Sequence, residues 1–203
     1  NKFLNIKIMK KILLVSKVVL GTGVLLLSLN SCKNETKQED PKEVAEDQNE
    51  AKFDSIDSKE DDSEFLVDAT EINLAEIEIG KLAQTKSTNP EVKKFGKMLV
   101  DEHTKSAAEV KAIADSRNFS LPTSLTEDGK DEYDKLNEKT GVDFDKKFAD
   151  MMIDGHEKAI DKFTKAAETA NDAEIKSWAS KNVSALTAHL QHAKQLKEAL
   201  DKK

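Results

Sequence analysis

The chain has 203 residues and a formal charge of −7, with 35% charged and 37% hydrophobic residues. That length holds one domain of ordinary size, or one domain with a tail, and the composition excludes a polytopic membrane protein. A pI near 5.3 leaves no basic face for neutralising phosphates, so nucleic acid is not an expected partner. The single cysteine excludes an internal disulfide framework and any CxxC metal site.

The first segment is an address. Met9 is followed by Lys10 and Lys11, then by an apolar run from Ile12 to Leu29 broken by Lys17. A basic stretch followed by an apolar one is the pattern of a bacterial export signal, and residues 1–8 are then expected to lie upstream of the start codon. The run closes on Leu29-Asn30-Ser31-Cys32, which resembles the lipobox of bacterial lipoproteins. The resemblance implies cleavage before Cys32, diacylation of its thiol and acylation of the new amino group. Asn30 departs from the small residue usual there, whereas Ser31 keeps to the pattern. An uncleaved anchor is the alternative, disfavoured because the run is short for a span and contains Lys17. The expectation is a signal segment over 1–32 and a domain tied to a bacterial membrane through Cys32. The outer membrane is the expected site, with the domain in the periplasm or at the cell surface. Residues 33–62 are acidic and poor in large apolar side chains, so they are expected to form a disordered tether that folding does not need.

Residues 63–203 show no alternating strand pattern. Four segments carry apolar residues at three- and four-residue steps, the mark of amphipathic helices. Segment one, Ser63 to about Lys86, has a stripe of Phe65, Ala69, Ile72, Ile79 and Ala83. Segment two opens at Asn89-Pro90-Glu91, a cap, a first-turn proline and an acid suited to the dipole. Its stripe is Val92, Phe95, Leu99, Val110 and Ile113. Segment three starts near Asp143, with Phe144, Phe148, Met152, Ile160, Phe163 and Ala167. Segment four opens at Asn171 or Asp172, where Asn171 and Glu174 resemble a capping box. Its stripe is Ile175, Trp178, Leu186, Ala193, Leu196 and Leu200.

Short turns at Ser87-Thr88 and near Asn171 make two antiparallel hairpins. The stretch from Asn118 to Gly141 is long enough to cross over between them and is expected to hold a short helix with Leu125, Tyr133 and Leu136. The fold class is therefore all-α, a four-helix bundle of two hairpins joined by a long crossover, which is the ferritin-like arrangement. An up-down-up-down bundle is the alternative.

Polar residues interrupt all four stripes. Glu76, His103, His156 and His189 each fall where the period demands an apolar side chain, as does Asn182. The chain has 4 histidines, and three lie on stripes, while His192 sits at the edge of one. Glu76 and His103 lie 12 and 15 residues from the first turn, and His156 and His189 lie 15 and 18 from the second. At about 1.5 Å per residue these offsets place all four within one layer. Buried carboxylates and imidazoles are costly unless they pair or bind metal. One reading is a site for a single divalent ion, zinc, iron or manganese, held by Glu76, His103, His156 and His189. The other is a buried hydrogen-bond network completed by Asn182 or Thr187. Glu102 and Glu157 point about 100° away from the stripe and are expected to be solvated.

The blocks Glu76-Ile77-Glu78-Ile79-Gly80-Lys81-Leu82-Ala83, Asn89-Pro90-Glu91-Val92-Lys93-Lys94-Phe95 and Met98-Leu99-Val100-Asp101-Glu102-His103-Thr104 resemble a bacterial ferritin-like family known as domain of unknown function 4142. Gly141-Val142-Asp143-Phe144-Asp145, Met151 to His156, and His189-Leu190 with Ala193 fit the same pattern, so the resemblance spans about 63–197. It implies the bundle and an exported setting, and no activity. Di-iron enzymes on related folds use paired Glu-x-x-His motifs. Here the residues three before the histidines are Val100, Ile153, Leu186 and His189, so a ferritin-type oxidase is disfavoured. Three function classes follow: a non-enzymatic envelope binding or stress-related module, a metalloenzyme or metal-storage protein, and a protein-interaction module with a buried polar network.

Overall fold

A computed structural model describes residues 39–202. The expected export signal and Cys32 lie outside the described residues. Among those described there are six helices and no strand: α1 (Pro41–Phe53), α2 (Asp57–Lys86), α3 (Pro90–Arg117), α4 (Glu127–Asn137), α5 (Gly141–Thr169) and α6 (Ala173–Asp201). No described helix is long and apolar enough to cross a membrane.

The helix ends follow local chemistry. Asn89 accepts a hydrogen bond from the Glu91 backbone N–H at 3.0 Å, and Pro90 occupies a first-turn position whose N–H needs no helical partner. Asn118 ends α3 in the left-handed region at φ 61, a conformation asparagine tolerates better than most residues. Asp172, not Asn171, caps α6, accepting from the Glu174 and Ile175 N–H groups. The Asn171 N–H instead donates to Asp62 on α2.

These contacts decide the topology. Asp62, near the start of α2, accepts from the backbone N–H groups of Asn171 and Asp172. Arg117 at the end of α3 pairs with Asp172 at 2.6 Å. So the start of α2, the end of α3 and the α5–α6 turn share one end of the bundle. At the other end, Ser87 in the α2–α3 turn donates to Asp145 at the start of α5 at 2.6 Å. Helices α3 and α5 therefore run the same way. The crossover must travel the bundle's length to connect them, carrying α4 along α2 and α5. This is the ferritin-like connection, and it excludes up-down-up-down.

The first hairpin is closed by a glycine pair. A Cβ at Gly80 would lie 2.7 Å from the Gly96 carbonyl oxygen, and one at Gly96 would lie 2.7 Å from the Gly80 oxygen. The backbones of α2 and α3 touch there, and no other residue fits without parting them. The stripe on α2 is also rotated from the expected one. Leu66 is fully buried and Phe65 only partly, because α2 has neighbours on several sides: α1, α3, α4 and α5.

Residues 39–62 are not the free tether expected from their composition. Residues 41–53 form α1, and α2 begins six residues earlier than the sequence period indicates. Asp40 caps α1, accepting from the Lys42 N–H. Lys42 bridges Asp68 and Glu71 of α2, and Phe53 packs edge-on against Phe119, centroids 5.2 Å apart. Asn49, buried, donates to the Ser120 carbonyl and accepts from the Ser120 N–H. The segment's few apolar groups suffice because they dock on an existing surface. Phe53→Ala should lower stability by about 3 kcal/mol, read as a shift of the urea midpoint at unchanged m-value. An unchanged midpoint would show that α1 does not dock in solution.

Candidate metal centre

The core is divided. One apolar cluster includes Leu66, Ala69, Val110, Ile113, Phe163, Trp178 and Leu186. The other includes Ile79, Phe95, Leu99, Phe144, Phe148, Met152, Ala193 and Leu196. Each long helix passes from one cluster to the other through a buried polar residue: Asn73 and Glu76 on α2, His103 on α3, His156 on α5 and His189 on α6. The ring centroids of the three histidines lie 5.3 to 6.0 Å apart. Each offers a ring nitrogen, and the three nitrogens lie within 4.8 Å of one another.

The partners of each ring fix which nitrogen carries hydrogen. His103 Nδ1–H donates to Asn73 Oδ1 at 2.9 Å. His156 Nδ1–H donates to the Met152 carbonyl at 2.8 Å. His189 Nε2–H donates to the Glu102 carboxylate at 3.0 Å. All three acceptors are oxygens that cannot donate, so in neutral rings the opposite nitrogens carry lone pairs. Two of these, His156 Nε2 and His189 Nδ1, face each other at 3.2 Å. Neutral rings in these tautomers set lone pair against lone pair there, a contact that a metal ion between the two nitrogens would relieve. The third, His103 Nε2, is buried and has no hydrogen-bond partner among the described residues.

Glu76 is buried in the same layer but on the far side of His156. Its Oε1 lies 3.8 Å from His156 Nδ1, the nitrogen already donating to Met152, and its Oε2 has no partner among the described residues. The structure thus brings together His103, His156 and His189, and sets Glu76 behind them. Glu102, expected to be solvated, is half-exposed yet orients His189. Glu157 does pair at the surface, with Lys194. Asn182 turns back to the Trp178 carbonyl and Thr187 to that of Val183, so neither completes the layer. His192 stands apart, stacked on Phe95 at 4.4 Å. Asn73 was the residue the stripe did not mark. It lies three positions before Glu76, and the interrupted period there already announced a polar layer.

Burial dominates the electrostatics. It pushes the Glu76 carboxyl up to about 8, with the Glu132 charge adding to the effect. It pulls His156 down to about 4, assisted by His189, and His103 well below its ordinary value, with His156 and His189 contributing. Glu76 and His156 are therefore neighbours without being an ion pair at neutral pH. Glu76 and Glu132 line a 180 Å³ cavity between α2, α4 and α5.

Comparison with known families matches residues 44–196 to the domain of unknown function family DUF4142. The chain belongs to this family. The match begins within α1, which makes that helix part of the domain. Among solved structures, the chain is similar to one described as CopM in the Cu(II)-bound form, at 18% identity and a TM-score of 0.59. The likeness covers 68% of this chain and 96% of that one, and shows a shared fold. Comparison with curated proteins returns no match.

The layer gives the metal-free protein a defined pH profile. As pH falls below the ordinary histidine value of 6.5 toward about 4, the unfolded chain takes up protons that folded His156 refuses, and stability is lost. His103 acts with the same sign. Glu76 acts oppositely: between 4.5 and about 8 the folded protein keeps a proton that the unfolded chain releases, so stability falls as pH rises. Two half-protonated histidines balance one carboxyl near the histidine value, so this layer's contribution peaks at about pH 6.5. Thermal melts of chelator-treated protein from pH 4 to 9 should show that maximum, and Glu76→Gln should flatten its alkaline side. A wild-type profile without loss between pH 6.5 and 8 would mean that Glu76 is ionised in the fold.

Proposed function

We propose that this protein binds one divalent first-row metal ion through His103, His156 and His189, copper(II) in preference to zinc, as a non-enzymatic metal-binding module of the bacterial envelope. The observation that carries the reading is the convergence of three bare imidazole nitrogens, each aimed by a hydrogen bond on its other nitrogen. That is how metal-ligating histidines are held. Two nitrogens bound to a tetrahedral ion at roughly 2.0–2.1 Å stand about 3.3 Å apart, close to the 3.2 Å between His156 and His189. An all-nitrogen set suits copper and zinc, whereas manganese prefers oxygen, and copper(II) is the strongest binder of the divalent series. The Cu(II)-bound state described for the similar fold agrees with that order. Glu76 is outside this ligand set.

Protein purified without a histidine tag should take up one copper(II) per chain. Ligand at 100 times its Kd should stabilise the fold by about 2.7 kcal/mol, reversed by chelator. His103→Ala and His189→Ala should each abolish the response, while Glu76→Gln should keep it. A melting temperature indifferent to copper, zinc and chelator would leave the layer as a hydrogen-bond network only.

The envelope location rests on Leu29-Asn30-Ser31-Cys32 after the apolar run. Cys32→Ala should abolish acylation and release the domain into the soluble fraction. Wild-type protein without acyl mass would refute the anchor. Lipid on Cys32 would contribute roughly 0.8 kcal/mol per buried CH₂.

A further inference from the structure

The 180 Å³ cavity between α2, α4 and α5 lies outside the histidine site, for none of the three histidines lines it. Glu76 lines it from α2 and Gly155 from α5. A Cβ at Gly155 would stand 3.5 Å from Glu76 Oε1, so the missing side chain leaves that oxygen uncovered from α5. Glu132 and Asp128 line the α4 side and are exposed, which places the mouth there. Ile72, Ala75 and Ala159 add apolar wall.

The carboxyl of Glu76 is unpartnered. The residue is 7% exposed. Its Oε2 has no hydrogen-bond partner among the described residues, and its Oε1 stands 3.8 Å from a ring nitrogen that already donates to Met152. The charge that acts on it is that of Glu132, across the cavity. The cavity's lysines do not offset this. Lys162 pairs with Asp68, and Lys158 acts on Glu132. Two carboxyl groups therefore share one space, and neither has a hydrogen-bonded cationic partner among the described residues.

We propose that this cavity binds a small primary alkylammonium ion, its N–H groups donating to Glu76 and Glu132 and its carbon chain lying against Ile72 and Ala159. An ammonium head has three donors and can meet two carboxyl groups that do not converge on one point. A metal ion requires convergence, and among the described residues only the histidines bring three ligand atoms within 4.8 Å of one another. A cavity of roughly 150 Å³ admits benzene, so this one accommodates about six heavy atoms. Glu132 supplies the charge and Glu76 an acceptor oxygen, so no proton has to leave the buried carboxyl. The proposal is independent of the histidine metal site.

The test is calorimetric titration of the metal-free full chain with butylammonium at fixed ionic strength. One ion per chain should bind saturably. Magnesium should not displace it, and tetramethylammonium, which has no N–H, should not bind. Glu132→Gln removes the charge. Gly155→Ala covers Oε1 with a methyl group, at a helical position where alanine is favoured. Each should weaken binding by at least about tenfold. Glu157→Gln removes the same charge where α5 faces Lys194 of α6 and should leave the affinity unchanged. Absence of saturable binding, displacement by magnesium, or equal affinity for tetramethylammonium overturns the proposal. So does wild-type affinity in E132Q or G155A, or an E157Q loss as large as that of E132Q. Should E132Q not fold, G155A decides.

Discussion

Everything in the bundle is arranged around one polar layer that bisects an apolar core. Three buried imidazoles, a carboxyl and an amide occupy positions that leucine would fill more cheaply. Three of their atoms, Asn73 Nδ2, Glu76 Oε2 and His103 Nε2, have no hydrogen-bond partner among the described residues. At about 1–3 kcal/mol each, this costs roughly 3–9 kcal/mol, comparable with the whole stability of a domain. A structural zinc site contributes on the order of 10–16 kcal/mol, so a bound ion is of the right size to offset the layer. Of the three atoms such an ion would meet His103 Nε2, which the hydrogen bonds within the layer leave unmet.

The layer also explains the need for close, regular hairpins. Ring nitrogens on α3, α5 and α6 meet within 4.8 Å of one another, so the helices that carry them cannot slide. The Gly80–Gly96 contact fixes the α2–α3 register at backbone distance. Buried Phe95 and Phe148, edge to face at 5.7 Å, lock α3 to α5 just beyond the histidines. The ends are tied by Asp62 to the second turn and by Ser87 to Asp145. Such supports hold functional side chains in place more firmly than loops would.

Much of this was legible in the sequence because it is local. The stripes of α3, α5 and α6, the Asn89-Pro90 start and the two turns are short-range signals, and the three histidines inherit their heights from them. What was illegible depends on contacts far apart in the chain. Helix α1 has too few apolar groups to fold alone, and only Phe119, Ser120 and the α2 acids give Phe53, Asn49 and Lys42 something to dock on. Glu76 lies at the right height, yet the side chain of His156 stands between it and the other rings, and helical spacing does not encode that. Glu102 lies off the stripe, yet a long side chain at a helix boundary can bend back to a neighbour that periodicity assigns to the core.

The three partners that aim the rings differ in a way that follows burial. His156, 1% exposed, is held by a backbone carbonyl, the cheapest buried acceptor, because its own helix supplies it. His103 is held by the neutral amide of Asn73, itself buried. Only His189 is held by a full charge, and the Glu102 side chain that bears it is 53% exposed. A carboxylate in the place of Asn73 would have to shed its hydration, which costs several kcal/mol even after relaxation, whereas Glu102 keeps much of its water. Glu76 obeys the same rule from the other side. Deep in the core and without a cationic partner, it stays protonated at neutral pH. The layer therefore presents three converging ring nitrogens with a carboxylate at its solvent edge, an arrangement that can accept a cation without first burying an anion.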